Sequence, residues 1–191
     1  HKNHPEVEGT MGQFDTSYGG TITLIEDISD VEKLKFSESS KVAFVTQTTL
    51  SVDDTQELKD SLINKFPDII GPKKDDICYA TQNRQDAVKQ LALESDLVIV
   101  IGSENSSNSN RLREIAERSG VKAYLIDSVG DLPAECLEGK KRIGLTSGAS
   151  APEHLVSEVI DTLTKKYGFK LQGNRTRTDE GISFRLPKGL R

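Results

Sequence analysis

The sequence has few cysteines, no excess of basic residues and no long apolar run, and each lack excludes a class of protein. The two cysteines, Cys78 and Cys136, lie far apart, so the sequence holds neither a disulfide framework nor a Cys-x-x-Cys metal knuckle. Isolated cysteines are typical of a reducing compartment. The net charge of −5 argues against nucleic-acid binding, which normally requires a basic face. No apolar run approaches the roughly 20 residues that span a bilayer, so we expect no contact with a membrane.

The sequence also lacks an initiating methionine, a signal-peptide pattern and an obvious internal repeat. It begins with His1, and no basic segment followed by an apolar segment lies near the start. We therefore expect a piece of a longer protein whose amino end is missing. A chain of 191 residues can still form one large or two small domains with a proper core.

The stretch 97–116 predicts a buried strand followed almost at once by a helix. Leu97–Ile101 is an unbroken run of Leu, Val and Ile, typical of a strand buried on both faces of a parallel sheet. Leu112, Ile115 and Ala116 recur at a spacing of three or four and predict the inner face of the helix. The remaining charged residues are expected on its outer face: Arg111, Arg113, Glu114, Glu117 and Arg118.

Between that strand and helix lies a turn of short hydroxyl and amide side chains. A helix cap needs only one or two such residues. A turn from a parallel strand into a helix offers free N–H groups and the positive helix end, which together bind anions. With no lysine inside it, the turn suits a phosphate or diphosphate held by neutral donors; the alternative is a polar surface turn that caps its helix in excess. The turn contains Gly102, Ser103, Asn105, Ser106, Ser107, Asn108, Ser109 and Asn110.

Apolar spacing and turn residues predict an α/β fold along the rest of the chain. We expect loop over 1–20, a crossover between lobes over 68–74 and a polar tail over 168–191 with one edge strand within 182–186. The predicted strands are Thr21–Ile25, Lys41–Val45, Val121–Ile126 and Ile143–Thr146. The predicted helices and helical turns are Asp30–Leu34, Val52–Phe66 capped by Ser51, about Asn83–Ser95, Pro133–Leu137 and Pro152 to about Tyr167.

Three hydroxyl-rich turns, around Thr48, Ser106 and Ser150, fall at the carboxyl ends of predicted parallel strands. Ligands of α/β sheets bind at that edge. If all three turns converge on one cavity, the sequence favours a phosphorylated ligand.

Two further groups are candidates for chemistry. His4, Glu6 and Glu8 lie within five residues, and Pro5 forces His4 into an extended conformation. An imidazole and carboxylates there could act as acid, base or ligand, or could be solvated surface residues. Cys78 falls at or just before a helix amino end, which favours the thiolate that binds metal or reacts. The alternative for Cys78 is a small buried hydrophobic residue, and a packing role is expected for Cys136.

Five segments resemble the signature segments of the 4-hydroxy-3-methylbut-2-enyl diphosphate reductase family, in order and over nearly the whole chain. This iron–sulphur family carries out the last step of the methylerythritol phosphate route to isoprenoids. The segments are His4-Pro-Glu-Val-Glu-Gly-Thr, Thr46-Gln-Thr-Thr-Leu-Ser-Val-Asp-Asp, Asp75-Asp-Ile-Cys-Tyr-Ala-Thr-Gln-Asn-Arg-Gln, Gly102-Ser-Glu-Asn-Ser-Ser-Asn-Ser-Asn-Arg-Leu and Gly144-Leu-Thr-Ser-Gly-Ala-Ser-Ala-Pro.

The resemblance implies three small parallel-sheet lobes around a central cavity that holds a [4Fe–4S] cluster on three cysteines, one from each lobe. It implies that 1–74 is the second lobe, incomplete at its start, and that 75–167 is the third. Cys78 matches the third cluster ligand, and Glu6 matches the acid that protonates the hydroxymethyl group of the substrate, with Thr48 completing the relay. Positions that match the substrate pocket are His4, Thr48, Ser106, Ser107, Asn108 and Ser150.

The implied reaction is the reductive dehydroxylation of an allylic diphosphate to isopentenyl and dimethylallyl diphosphates, with ferredoxin or flavodoxin as electron donor. A bacterial cytoplasm or a plastid stroma is the implied location. The family's other two cysteine ligands match nothing in this sequence, and Cys136 does not match a ligand. We therefore expect the 191 residues to be inactive by themselves.

Two readings from other classes remain open. A non-catalytic α/β module could bind a phosphorylated small molecule with the same three turns and would need neither Cys78 nor Glu6. A redox sensor built on Cys78 would be alkylated rapidly near neutral pH, with no effect of an allylic diphosphate.

Overall fold

The computed structural model describes residues 1–37, 40–74, 76–172, 183 and 185–190, and they form an α/β fold. Short 3₁₀ turns at Thr16–Tyr18, Val129–Asp131, Ala134–Leu137 and Lys188–Leu190 connect or follow the main elements. The helices are α1 Pro5–Gln13, α2 Ile28–Lys33, α3 Val52–Lys65, α4 Tyr79–Leu93, α5 Ser107–Arg118 and α6 Glu153–Lys165, and the strands are β1 Leu97–Ile101, β2 Ala123–Ile126 and β3 Ile143–Ser147.

The core is built around β1, which lies between β2 and β3 in a parallel sheet. All five of its side chains are buried because helices cover both faces. Leu97, Ile99 and Ile101 pack with α6, whereas Val98 and Val100 pack with α4 and α5. Each such side chain contributes about 1.5–3 kcal/mol through burial. The prediction of a strand buried on both faces of a parallel sheet is confirmed.

Side-chain caps begin two of the helices at the predicted turns. The Ser51 hydroxyl accepts from the N–H of Asp54 at the start of α3, and the Ser106 hydroxyl accepts from the N–H of Ser109 at the start of α5. Helix α4 begins at Tyr79 rather than near Asn83, because the Cys78 carbonyl already accepts the first helical hydrogen bonds. Cys78 is therefore the N-cap of α4, as predicted.

The prediction of loop over 1–20 is wrong, because α1 occupies Pro5–Gln13. Its start is stabilised by capping: the His4 ring accepts from the N–H of Glu6, Pro5 stands at the first helical position, and Glu6 and Glu8 lie in the first turn. His4 is extended, with φ −78° and ψ 132°, as Pro5 requires. None of the helical residues is buried, so no apolar period marks the helix in the sequence.

Two predicted strands are also corrected. Thr21–Ile25 forms no strand, because no neighbouring strand pairs with it among the described residues. Lys41–Val45 is reduced to one parallel bridge, in which Ala43 pairs with Ile70 of the predicted crossover. Predictions within Ile182–Leu186 fall partly outside the described residues, and the described positions 183, 185 and 186 are not strand.

The proposed division between 1–74 and 75–167 stays a prediction. Gln85 of α4 crosses that boundary: its amide donates to the Leu50 carbonyl and accepts from the N–H of Val52. Gln85 is 1% exposed, so both hydrogen bonds of its side-chain amide lie in the interior, and they join α4 to the start of α3. Among the described residues, no helix is both long and apolar enough to cross a membrane.

Candidate functional site

The first feature of the site is a hydrogen-bonded link, through Thr48, between the predicted acid and the backbone of the predicted metal ligand. The Glu6 carboxylate accepts from the N–H of Thr48 at 3.0 Å and from its hydroxyl at 3.1 Å. The Thr48 carbonyl in turn accepts from the N–H of Cys78 at 2.9 Å. Three segments that are distant in sequence therefore meet at Thr48, with His4 adjacent as the N-cap of α1.

The amino end of α5 supplies the second group of predicted residues. Ser106 is the N-cap, and Ser107 and Asn108 form the first turn. Asn108 is only 5% exposed, yet neither its amide oxygen nor its amide nitrogen has a hydrogen-bond partner within the described part of the chain. A buried side chain with both polar atoms unpaired is costly unless a ligand satisfies it. The unpaired amide nitrogen can donate to an anion, and together with the positive end of α5 it favours a bound anion at this turn.

A hydrogen-bond cluster joins the turn after residue 45 to α5. The Gln47 amide nitrogen donates to the Thr49 hydroxyl at 3.0 Å and to the Ser107 hydroxyl at 3.3 Å. The Thr49 hydroxyl donates to Ser107 at 2.9 Å. The Gln47 amide oxygen lies 3.0 Å from the backbone nitrogen of His1, on the side of the amide away from Thr49 and Ser107. The cluster places Ser107 beside the segment that carries Thr48.

Ser109 holds the turns after β1 and β3 together. Its side chain is 1% exposed and lies between Gly102, directly after β1, and Gly148, directly after β3. A Cβ at Gly102 would lie 2.8 Å from the Ser109 Cβ, and a Cβ at either glycine would overlap the Ser109 hydroxyl. The two glycines are therefore required by close approach. A Cβ at Gly148 would also lie 3.7 Å from the Asn108 amide nitrogen, so this turn adjoins the amino end of α5.

Ser150 is the predicted site residue that the structure joins least closely to the others. It lies in the exposed turn between β3 and α6, two positions beyond Gly148, and no hydrogen bond connects it to another predicted site residue among those described. Sequence reasoning missed Gln47, Thr49 and Ser109 as connecting residues. For Ser109, the glycines that follow β1 and β3 were the available signal, because a glycine at such a place indicates close backbone approach.

The two cysteines have different environments. Cys78 is exposed and makes no capping hydrogen bond through its side chain, so its sulphur is available to a ligand. Cys136 packs in the core with Leu97 and Val159, and burial raises the pKa of its thiol. Within the described part of the chain, no three His, Cys, Asp or Glu side chains form a group that could hold a metal ion. These residues thus fit one thiolate ligand and no complete metal site.

Arg111 is placed differently from the prediction, which put it on the outer face of α5. It is 9% exposed, because its guanidinium pairs with Glu114 at 2.6 Å and with Asp54 of α3 at 3.6 Å. It also lies 3.0 Å from the His1 ring nitrogen. A hydrogen bond from Arg118, reinforced by the charges of Arg118 and Arg111, lowers the pKa of Asp54. Ion pairs thus hold α3 against α5 beside the site.

A shallow groove of about 730 Å³ lies elsewhere, between α2 and α3. Its charged lining residues are three acids, Glu32, Glu57 and Asp60, and one base, Lys65, and it shares no residue with the predicted site. The excess of carboxylates over the single ammonium group does not suit a phosphate.

The sequence of this chain matches the model of one protein family over most of its length. The family model of the LytB protein matches residues 1–164. The chain belongs to the LytB family.

Relatives in the LytB family are similar over the full chain. A protein of Saccharophagus degradans and one of Alcanivorax borkumensis, both named 4-hydroxy-3-methylbut-2-enyl diphosphate reductase, are 61% and 60% identical over 191 residues. The structure of the E-1-hydroxy-2-methyl-but-2-enyl-4-diphosphate reductase from Plasmodium falciparum superimposes with a TM-score of 0.89 at 37% identity, covering 99% of this chain and 58% of that one. The chain spans 61% of the length of these two curated relatives.

Proposed function

We propose that this LytB-family chain forms the substrate side of a reductase that converts (E)-4-hydroxy-3-methylbut-2-enyl diphosphate to isopentenyl and dimethylallyl diphosphates. The observation that carries the proposal is the link from Glu6 through Thr48 to the backbone of Cys78, because it joins the proposed acid to the residue that bears the free thiol. The names of the relatives support the substrate and the reaction. A reducing compartment, such as a bacterial cytoplasm or plastid stroma, would keep both cysteines free.

Glu6 is the proposed proton donor in this reaction. The reaction replaces a C–O bond with a C–H bond using two electrons and two protons, and the hydroxyl leaves as water. Water is a better leaving group than hydroxide, so a carboxylic acid that protonates the hydroxyl oxygen lowers the barrier. The two donors of Thr48 hold the Glu6 carboxyl in one orientation and can return a proton through the hydroxyl.

The diphosphate is assigned to the hydroxyl-rich turns. The unpaired amide nitrogen of Asn108 would donate to a phosphate oxygen, and Ser106 and Ser107 lie on either side of the α5 start. His4 and Ser150 complete the proposed substrate residues. Neutral donors with a helix end can hold a phosphate without a lysine.

Cys78 is the proposed ligand of a [4Fe–4S] cluster, which when bound would supply electrons one at a time and an open iron for the substrate oxygen. The exposed sulphur at the N-cap of α4 fits one thiolate ligand. The remaining cysteine, Cys136, lies in the core and is not proposed as a ligand. The proposed electron donor is a ferredoxin or flavodoxin.

The test uses the full-length protein, reconstituted anaerobically, beside Glu6→Gln and Cys78→Ser. We expect about four irons per chain in the parent and in Glu6→Gln, and loss or degradation of the cluster in Cys78→Ser. Turnover of the allylic diphosphate should fall in Glu6→Gln by at least about 100-fold, the usual contribution of a general acid. Full turnover in Glu6→Gln would contradict the assigned acid.

The binding-module alternative predicts another result. Under that reading, no preparation holds iron, and the affinity for an allylic diphosphate is the same in the parent and in both variants.

A further inference from the structure

The hydrogen bonds around Ser106 and Ser107 determine what each hydroxyl can still do. A serine hydroxyl has one proton to donate and two lone pairs that accept. Ser106 accepts from the N–H of Ser109 at 3.2 Å and from its hydroxyl at 3.0 Å. Both lone pairs are therefore used, and the hydroxyl proton of Ser106 is left for an acceptor outside the described residues.

Both lone pairs of the Ser107 hydroxyl are also used, but by different donors. It accepts from the Gln47 amide nitrogen at 3.3 Å and from the Thr49 hydroxyl at 2.9 Å. The direction of this relay follows from the Gln47 side chain, whose amide nitrogen donates to the hydroxyls of both Thr49 and Ser107. Thr49 accepts from Gln47 and hence gives its own proton to Ser107.

We propose that Gln47, Thr49 and Ser109 are positioning residues that fill the lone pairs of Ser106 and Ser107, so that both serines present hydrogen-bond donors to an anionic phosphate oxygen. The inference rests on the proposed function, since it assigns these hydroxyls to the diphosphate. It explains how an anion site can work here without a lysine in the turn. Two hydroxyls whose protons could point either way would attract an anion less strongly.

The surroundings of Ser106 and Ser107 also favour hydrogen-bond donation to an anion. Both lie at the start of α5, a helix long enough for its N–H dipoles to favour a negative ligand. Next to them, the buried Asn108 has an amide nitrogen without an acceptor among the described residues. The slot formed by Gly102 and Gly148 holds the Ser109 hydroxyl beside Ser106, so this relay cannot easily rotate away.

The test measures the affinity of the full-length protein for inorganic diphosphate by isothermal titration calorimetry. Thr49→Val keeps the shape of the side chain and removes the hydroxyl, whereas Thr49→Ser keeps the hydroxyl and removes a methyl group. We expect Thr49→Val to weaken binding by about 3- to 10-fold, the effect of one hydrogen bond. Thr49→Ser should stay within about twofold of the parent. A role in packing alone predicts the opposite order.

Ser109→Ala tests the second relay independently. Because its backbone N–H remains, Ser106 loses one of its two donors, and we expect a further weakening of about 3- to 10-fold. The melting temperature of each variant without diphosphate shows whether the fold is intact. The proposal is overturned if Thr49→Val and Ser109→Ala bind as the parent does while the parent binds diphosphate. A parent that does not bind diphosphate overturns the anion site of the proposed function as well as the relays.

Discussion

At the scale of single residues, Thr48 is the point at which the site comes together. Its backbone N–H and hydroxyl hold Glu6, and its carbonyl holds the N–H of Cys78. The sequence indicates the residue types, because hydroxyl-rich turns and a cysteine before a helix are visible in it. It cannot indicate the pairing of Thr48 with Glu6, which depends on how α1 lies against a turn more than forty positions away.

The environments of the two cysteines predict unequal reactivity. In the 191-residue chain without metal, a thiol reagent should modify Cys78 rapidly, because it is exposed. Cys136 should react only after unfolding, because it is buried in the core and burial raises the pKa of its thiol. Counting modified thiols by mass spectrometry, with and without denaturant, checks this. Cys78→Ser should abolish the fast reaction and Cys136→Ser should preserve it; rapid modification of both thiols in the folded chain would contradict the structure.

At the scale of elements, the predictable parts are those with apolar periodicity. The strand β1 and the helices α3, α5 and α6 follow from their buried stripes. Helix α1 does not, because it buries no residue and depends on the His4 cap and Pro5. Arg111 is likewise unpredictable from α5 alone, since its burial depends on the carboxylate of Asp54 on another helix.

The ion pairs between α3 and α5 predict a dependence of stability on pH. The pKa of Asp54 is lowered in the folded chain, mainly by the hydrogen bond from Arg118. Asp54 therefore binds a proton more readily in the unfolded chain than in the folded chain. Its stabilisation is therefore fully present above about pH 4, the usual pKa of aspartate, and is lost as pH falls through the lower folded value. We expect Asp54→Asn to reduce the free energy of unfolding at pH 7 by at most about 1 kcal/mol, since the pair is partly solvent-screened.

Urea unfolding of the parent and Asp54→Asn between about pH 7 and pH 2 tests this window. The difference in the free energy of unfolding between the parent and Asp54→Asn should become smaller as the pH falls below about 4. Asp60→Asn is the matched control, because it removes an exposed carboxylate of the same helix that accepts from Gln56. A difference that grows as the pH falls would contradict the assigned role of Asp54.

At the scale of the whole molecule, the α/β class with a small parallel sheet was predictable from strand and helix patterns, and the structure confirms it. The strands predicted around Thr21 and Ala43 do not form as such: among the residues that the structure describes, the first is absent and the second is a single bridge. A strand needs a partner, and the local sequence does not say whether a partner is present. Hydrogen bonds between distant turns, such as that between Thr49 and Ser107, cannot be predicted from local apolar periodicity for the same reason.

The composition of the site predicts how the 191-residue chain behaves when supplied with iron and sulphide. It offers one free exposed thiol, Cys78, and no group of three metal-binding side chains within the described residues. We expect anaerobic reconstitution to give no stable stoichiometric [4Fe–4S] cluster, since such clusters normally require more thiolates. Iron and acid-labile sulphide analysis after desalting checks this, and about four irons retained per chain would contradict it.

The slot around Ser109 also constrains the order in which this sequence can change over evolution. Alanine at Gly102 or Gly148 collides with the Ser109 side chain while that side chain is present. Position 109 must therefore lose its side chain before either glycine can gain one, and the reverse order passes through an overpacked intermediate. The three positions are epistatic: the effect of a substitution at one of them on stability depends on which residues occupy the other two.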